Sequence, residues 1–169
     1  MAGLAGSLDP VGEAINVFIN LKIKIIDKLG DKLSEVVGSK LRSISRDTPE
    51  MILELGLVST LSYCLAKARI ENVGKIIKVL EDGSPIDVLG KEVKEEELAY
   101  ALYVYALLKY LTQITGKNIK EVAGGSDELF RYFEDLIKNG AHVGLYNMLH
   151  AYLVQFKRLC EATFKPEGR

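Results

Sequence analysis

The chemistry this sequence offers most plainly is that of cations placed to meet an anion. Lys157 and Arg158 are adjacent, directly after Phe156, on a helical stripe with Asn147, His150, Val154 and Glu161. A lysine–arginine pair beside aromatic side chains suits the phosphates of a nucleic-acid backbone, where each neutralised phosphate releases counterions. The same stripe also fits a solvated helix face, with Glu161 one turn from both cations. Lys40, Arg42 and Arg46 form a second group within GSKLRSISRD, with no acid before Asp47. Lys67 closes a third pattern, in which Gly56, Thr60, Tyr63 and Lys67 follow one another at intervals of four, three and four residues. On one continuous helix those four share a face. A glycine inside a helix costs about 1 kcal/mol relative to alanine. That face therefore reads either as tight packing within the domain or as a groove approached by another chain or a phosphate backbone.

Other chemistry is missing from the pattern. His142 and His150 lie eight residues apart, and no Glu-x-x-His, His-x-x-x-His or His-Glu-x-x-His spacing occurs. There is no P-loop, no G-x-G-x-x-G and no G-x-S-x-G. Cys64 and Cys160 sit on apolar helical patterns and read as reduced core thiols. A Cys64–His150 nucleophile pair is the one enzymatic arrangement left open. The expectation is a protein that is not an enzyme, with no metal, no cofactor and no small-molecule substrate.

Helices must position these residues, because nearly every long segment has helical period. Asp9 and Pro10 start a first helix with apolar positions Ile15, Phe18, Ile19, Ile25, Ile26 and Leu29. Its stretch NLKIKII also alternates like a strand, but no turn signal or partner strand brackets it. Gly30 and Asp31 break that helix, Leu33, Val36 and Val37 begin another turn or two, and GSKLRSISRD reads as a basic helix end or loop. A new helix is predicted from Thr48 as N-cap, with Pro49 at its first position, to about Arg69. Its inner face would be Met51, Leu55, Val58, Leu65 and Ala66. ENVGKIIKVLED follows up to the turn DGSP at 82–85. KEVKEEE leads into a helix that is apolar on nearly all sides and closes at Gly116. Tyr100, Tyr103, Leu107 and Tyr110 share one of its faces, which suits core packing or a partner protein better than base stacking. Another helix runs from the GlyGlySerAsp loop to Asn139–Gly140, and the last from about His142 to Phe164, before Pro166. The fold class is all-α: a single-domain bundle of six to seven helices over residues 1–169, with flexible tails at about 1–9 and 165–169.

Composition agrees with a folded chain, with 48% hydrophobic and 27% charged residues among 169 and a formal net charge of −1. No global field draws the protein onto nucleic acid, so an anion-binding surface must be local. Charge is uneven: Lys40 to Lys78 holds seven cations and four acids, and Glu81 to Glu97 seven acids and two cations. The longest apolar run, LAYALYVYALL, is too short to span a bilayer, and MAGLAGSLDP lacks the regions of a signal peptide. A cytoplasmic protein away from membranes is expected.

Two stretches together resemble a known family. Pro49-x-Met51-Ile52-x-x-x-Gly56-Leu57-x-x-Thr60-Leu61-x-Tyr63, closing on Lys67, is similar to a helix of the small α-helical subunit of type III-B (Cmr-type) CRISPR effector complexes. Tyr152-Leu153-x-x-Phe156-Lys157-Arg158-Leu159-x-Glu161-Ala162 resembles that family's C-terminal helix, which carries a lysine–arginine pair after an aromatic. The chain departs from the family at Leu55, where asparagine is frequent, and at Phe156, where tryptophan is. The resemblance implies a non-catalytic subunit that stacks with copies of itself beside other Cmr-type effector subunits, along the duplex of guide RNA and target RNA. Carried over by position, Lys67, Lys157 and Arg158 become candidate RNA contacts; Lys40, Arg42 and Arg46 join them on charge alone. The alternative expectation is a helical adaptor or regulator with no nucleic-acid role, docking a partner on residues 98–114.

Overall fold

Helix α1 (Pro10–Lys24) begins where the sequence places a start signal. The Asp9 carboxylate accepts from the backbone N–H groups of Val11 at 3.1 Å and Gly12 at 3.2 Å, and Pro10 has no N–H to satisfy. The computed structural model describes residues 9–139 and 143–168. The expectations for residues 1–8, Gly140, His142 and Arg169 lie outside the described residues. After a 3₁₀ turn (Ile26–Lys28) come α2 (Asp31–Leu55), α3 (Leu57–Ala68) and α4 (Ile70–Glu81). A second 3₁₀ turn (Ile86–Leu89) leads to α5 (Glu95–Ile114), the one-turn α6 (Ile119–Val122), α7 (Ser126–Asn139) and α8 (Val143–Thr163). The described residues thus form an all-α structure of eight α-helices with no strand, slightly more than the six to seven expected. Among the described residues no helix is long and apolar enough to cross a membrane.

Helix α5 is apolar on nearly all sides because it is the axis of the molecule. Helices α2, α3 and α4 pack along it, and α1 and α8 contact it as well. Tyr103, Leu107 and Tyr110 are fully buried there. The surface that an adaptor would need on residues 98–114 is therefore taken up by the chain's own helices. Helix α8 packs mainly between α1 and α2 and runs opposite to α2: Gly38 lies against the Phe164 ring, Arg42 reaches Glu161 and Phe164, and Pro49 and Ile52 line a seam with Leu149 and Leu153.

The segment around Thr48 departs from expectation. Helix α2 continues unbroken through GSKLRSISRD, so Lys40, Arg42 and Arg46 are helical and Thr48 is not an N-cap. The Thr48 hydroxyl donates to the Ile44 carbonyl one turn back, and Ser45 Oγ donates to the Arg42 carbonyl at 2.9 Å. Pro49 removes one i→i−4 bond, and its burial in the seam with α8 offsets that loss. The helix ends at Gly56, which has φ 90° and ψ 162°. A Cβ on Gly56 would meet nothing within 4 Å, so its conformation and not a close approach demands glycine. Gly56 accordingly joins two helices and is no interior residue. The break resets the helical phase: Leu55 is 59% exposed, whereas Thr60, Leu61, Cys64 and Leu65 are buried. The face proposed for Gly56, Thr60, Tyr63 and Lys67 dissolves, with Thr60 turned inward and its hydroxyl donating to the Gly56 carbonyl at 2.8 Å.

Candidate nucleic-acid interface

Helix α8 presents its cations because its other side is anchored at several points. The Tyr152 hydroxyl donates to the Ala106 carbonyl of α5 at 2.7 Å, and the Tyr152 ring stacks on Tyr110 with centroids 4.3 Å apart. Phe156 meets Phe18 edge-on at 5.7 Å and Tyr103 at 5.9 Å. Leu149, Leu153 and Cys160 complete the buried face. With that side fixed, helical spacing leaves Asn147, His150 and Arg158 exposed and Val154, Lys157 and Glu161 half-buried, as the sequence stripe requires. The pairs expected of Glu161 with Lys157 and Arg158 do not form; among the described residues neither cation takes part in a salt bridge. Two adjacent positive charges therefore stand on a helix held by aromatic packing, with no carboxylate bound to either. Phosphate oxygens of a passing strand can meet both without first displacing an internal partner.

The cations of α2 are engaged differently. Arg42 Nη1 donates to the Glu161 carbonyl at 3.0 Å and to the Phe164 carbonyl at 3.2 Å. These acceptors belong to the C-terminal end of α8, where carbonyls lack helical partners and the dipole is negative. Arg42 thus caps α8, a role that spacing along one helix could not reveal because its acceptors lie 119 and 122 residues away. Arg46 Nε donates to Asp47 Oδ1 at 2.8 Å. The hydrogen bond and charge of Asp47 hold its guanidinium above its ordinary value, with Glu167 and Glu161 adding to the field. Lys40 Nζ lies 4.0 Å from Glu167 Oε1.

Lys67 stands apart from both groups, in the last turn of α3 and over the face of Tyr63 at 5.9 Å. Tyr63 in turn meets Tyr100 edge-on at 6.2 Å. These two tyrosines, with Lys40, Asp47, Glu96 and Glu167, line a cleft of about 240 Å³ between α2, α3 and the start of α5. Three carboxylates against one ammonium make that cleft unsuited to phosphate. The candidate phosphate contacts that take part in no salt bridge among the described residues are Lys157 and Arg158 along α8 and Lys67 at the end of α3.

The enzymatic alternative loses its nucleophile. Burial pushes the Cys64 thiol up to about 12, and Cys160 likewise to about 12, so neither is a thiolate at neutral pH. Cys64 borders the α2–α3 cleft, whereas His150 is exposed at the edge of the seam between α2 and α8, beside Pro49 and Tyr146. Among the described residues no group of three or more His, Cys, Asp or Glu side chains is placed to hold a metal ion.

Comparison with known proteins bears on this arrangement. Residues 22–163 match the sequence model of the family described as CRISPR-associated protein (Cas_Cmr5). That region includes every cation considered above and well over half of the chain. No curated protein and no solved structure matches it. The chain belongs to the Cas_Cmr5 family, the small subunit of Cmr-type (type III-B) CRISPR complexes.

Proposed function

From membership of this family we propose that the chain is a non-catalytic subunit of an RNA-guided effector, stacked with copies of itself and touching the guide–target RNA backbone through Lys157, Arg158 and Lys67. The observation that carries this reading is the adjacent pair Lys157 and Arg158, free of salt bridges among the described residues, on a helix fixed by Tyr152 and Phe156. Lys40 and Arg46 act as secondary contacts, each able to exchange its carboxylate partner for a phosphate, and Arg42 supports the site by capping α8. Recognition of this kind reads backbone charge and leaves sequence to base pairing. A near-neutral chain with two or three free cations binds RNA weakly alone and strongly when several copies align along one duplex. The test is purification from native extract under nuclease-free conditions. The chain should co-purify with several larger proteins and a small RNA, and nuclease should reduce the amount of RNA recovered. A clean monomer from that extract, without protein or RNA, contradicts the proposal.

A further inference from the structure

After α8 the chain turns back along α2, and its first contact there is firm. The Phe164 ring fills the space that a side chain on Gly38 would need and tilts against Phe18 at 5.9 Å. The Phe164 carbonyl accepts from Arg42 Nη1 at 3.2 Å. The residues that follow are held differently. Lys165 Nζ lies 3.6 Å from Glu35 Oε1, and Lys40 Nζ lies 4.0 Å from Glu167 Oε1, with these side chains between 31 and 72% exposed. Exposed pairs of this kind favour the paired state by a factor of about five at most. Beside them a groove of about 500 Å³, bordered by Val36, Ser39 and Pro166, stays unfilled. Residues 165–168 therefore form a loosely tied strap on a fixed hinge at Phe164.

The strap lies where it alters the charge of α2. Glu167 sets a carboxylate at Lys40, and it also borders the cleft between α2 and α3. Its charge reaches Arg46, whose guanidinium is held above its ordinary value first by Asp47. Carboxylate and phosphate oxygens compete for the same ammonium donor, and a carboxylate on the same chain is present at high effective concentration. We infer that residues 165–168 are an autoinhibitory strap: Glu167 occupies at Lys40 the place of an RNA phosphate, and RNA engages α2 only by lifting the strap about Phe164. This inference rests on the RNA contact proposed above and adds its regulation. Lys157 and Arg158, which take part in no salt bridge among the described residues, bind first, and Lys40 follows once a bound strand displaces Glu167. Arg42 stays in place through that step, because its acceptors belong to α8 and to the hinge.

The test uses the full chain and a fluorescently labelled RNA duplex at low salt. Glu167→Gln should tighten binding about two- to fivefold, the factor that one exposed pair allows. Loss of any acid favours RNA through general charge, so a double-mutant cycle decides. In a Lys40→Ala background, Glu167→Gln should change the affinity by less than about 1.5-fold. A second variant locks the strap. Glu35→Cys with Lys165→Cys keeps the net charge, and a short thiol-reactive crosslinker between them should weaken RNA binding at least about twofold relative to the same protein before crosslinking. Cys64 and Cys160 are buried and do not compete. An equal gain from Glu167→Gln with and without Lys40, or an affinity unchanged by the crosslink, overturns the strap. RNA binding that depends on Lys157 and Arg158 would survive either result, so the two readings fail separately. Absence of RNA binding by the parent and every variant overturns both.

Discussion

Helices α2 and α8 lie side by side and antiparallel, and each carries cations that a charge count treats as equivalent. On α2, Lys40 approaches Glu167, Arg42 binds two carbonyls of α8, and Arg46 binds Asp47. On α8, Lys157 and Arg158 have no such partners among the described residues. The difference teaches that positive charge near a surface does not define an anion site; freedom from internal partners on a rigid support does. Arg42 helps to hold α8 in place, and the α8 cations are what that support presents.

Removing the support altogether gives the largest effect. Phe156→Ala deletes a fully buried ring between Phe18 and Tyr103 and should lower the unfolding free energy by about 3–5 kcal/mol in urea denaturation. A loss below about 1 kcal/mol would mean that α8 is not anchored as described. Arg42→Ala comes next. It leaves two carbonyls at the end of α8 without their charged donor and should cost about 1.5–3 kcal/mol, while Arg158→Ala should stay within about 0.5 kcal/mol of the parent. Equal losses for those two variants would erase the distinction between the helices. Gly56→Ala should cost about 1–2 kcal/mol through backbone strain alone, since the added methyl meets nothing. Unchanged stability would mean that the α2–α3 junction relaxes freely.

The core beneath these helices also predicts a pH effect. The folded Cys64 and Cys160 thiols lie at about 12 against an ordinary 9.0. A raised folded value favours the protonated form, so this contribution is complete below about 9 and is lost as pH rises from 9 towards 12. Stability should fall across that window, and a thiol reagent at pH 8 should label neither cysteine until the chain unfolds. Fast labelling of the native chain would place a thiol at the surface.

How much of this was legible in the sequence follows the same division. The long periodic segments around α5 and α8 were legible because burial there obeys one helical phase from end to end. So was the first helix, through Asp9 and Pro10. The Thr48–Pro49 start signal misled because its local chemistry is satisfied another way: the Thr48 hydroxyl bonds back to Ile44, and Pro49 is buried against α8. Gly56 then reset the phase, so the inner face projected across it failed at Leu55 and Ala66, both exposed. The free pair Lys157 and Arg158 was visible as a motif. The capping role of Arg42 was not, because it joins residues far apart in the chain and arises only when α2 and α8 pack.

The comparison is tested most directly by the salt dependence of target-RNA binding by the assembled effector. Each phosphate contact contributes roughly 0.7–0.9 to the slope of log affinity against log salt. Lys157→Ala with Arg158→Ala, folded as judged by circular dichroism, should weaken binding at low salt and flatten that slope by about 1–2. An unchanged slope in that double variant would contradict the assignment of the α8 pair to the RNA backbone.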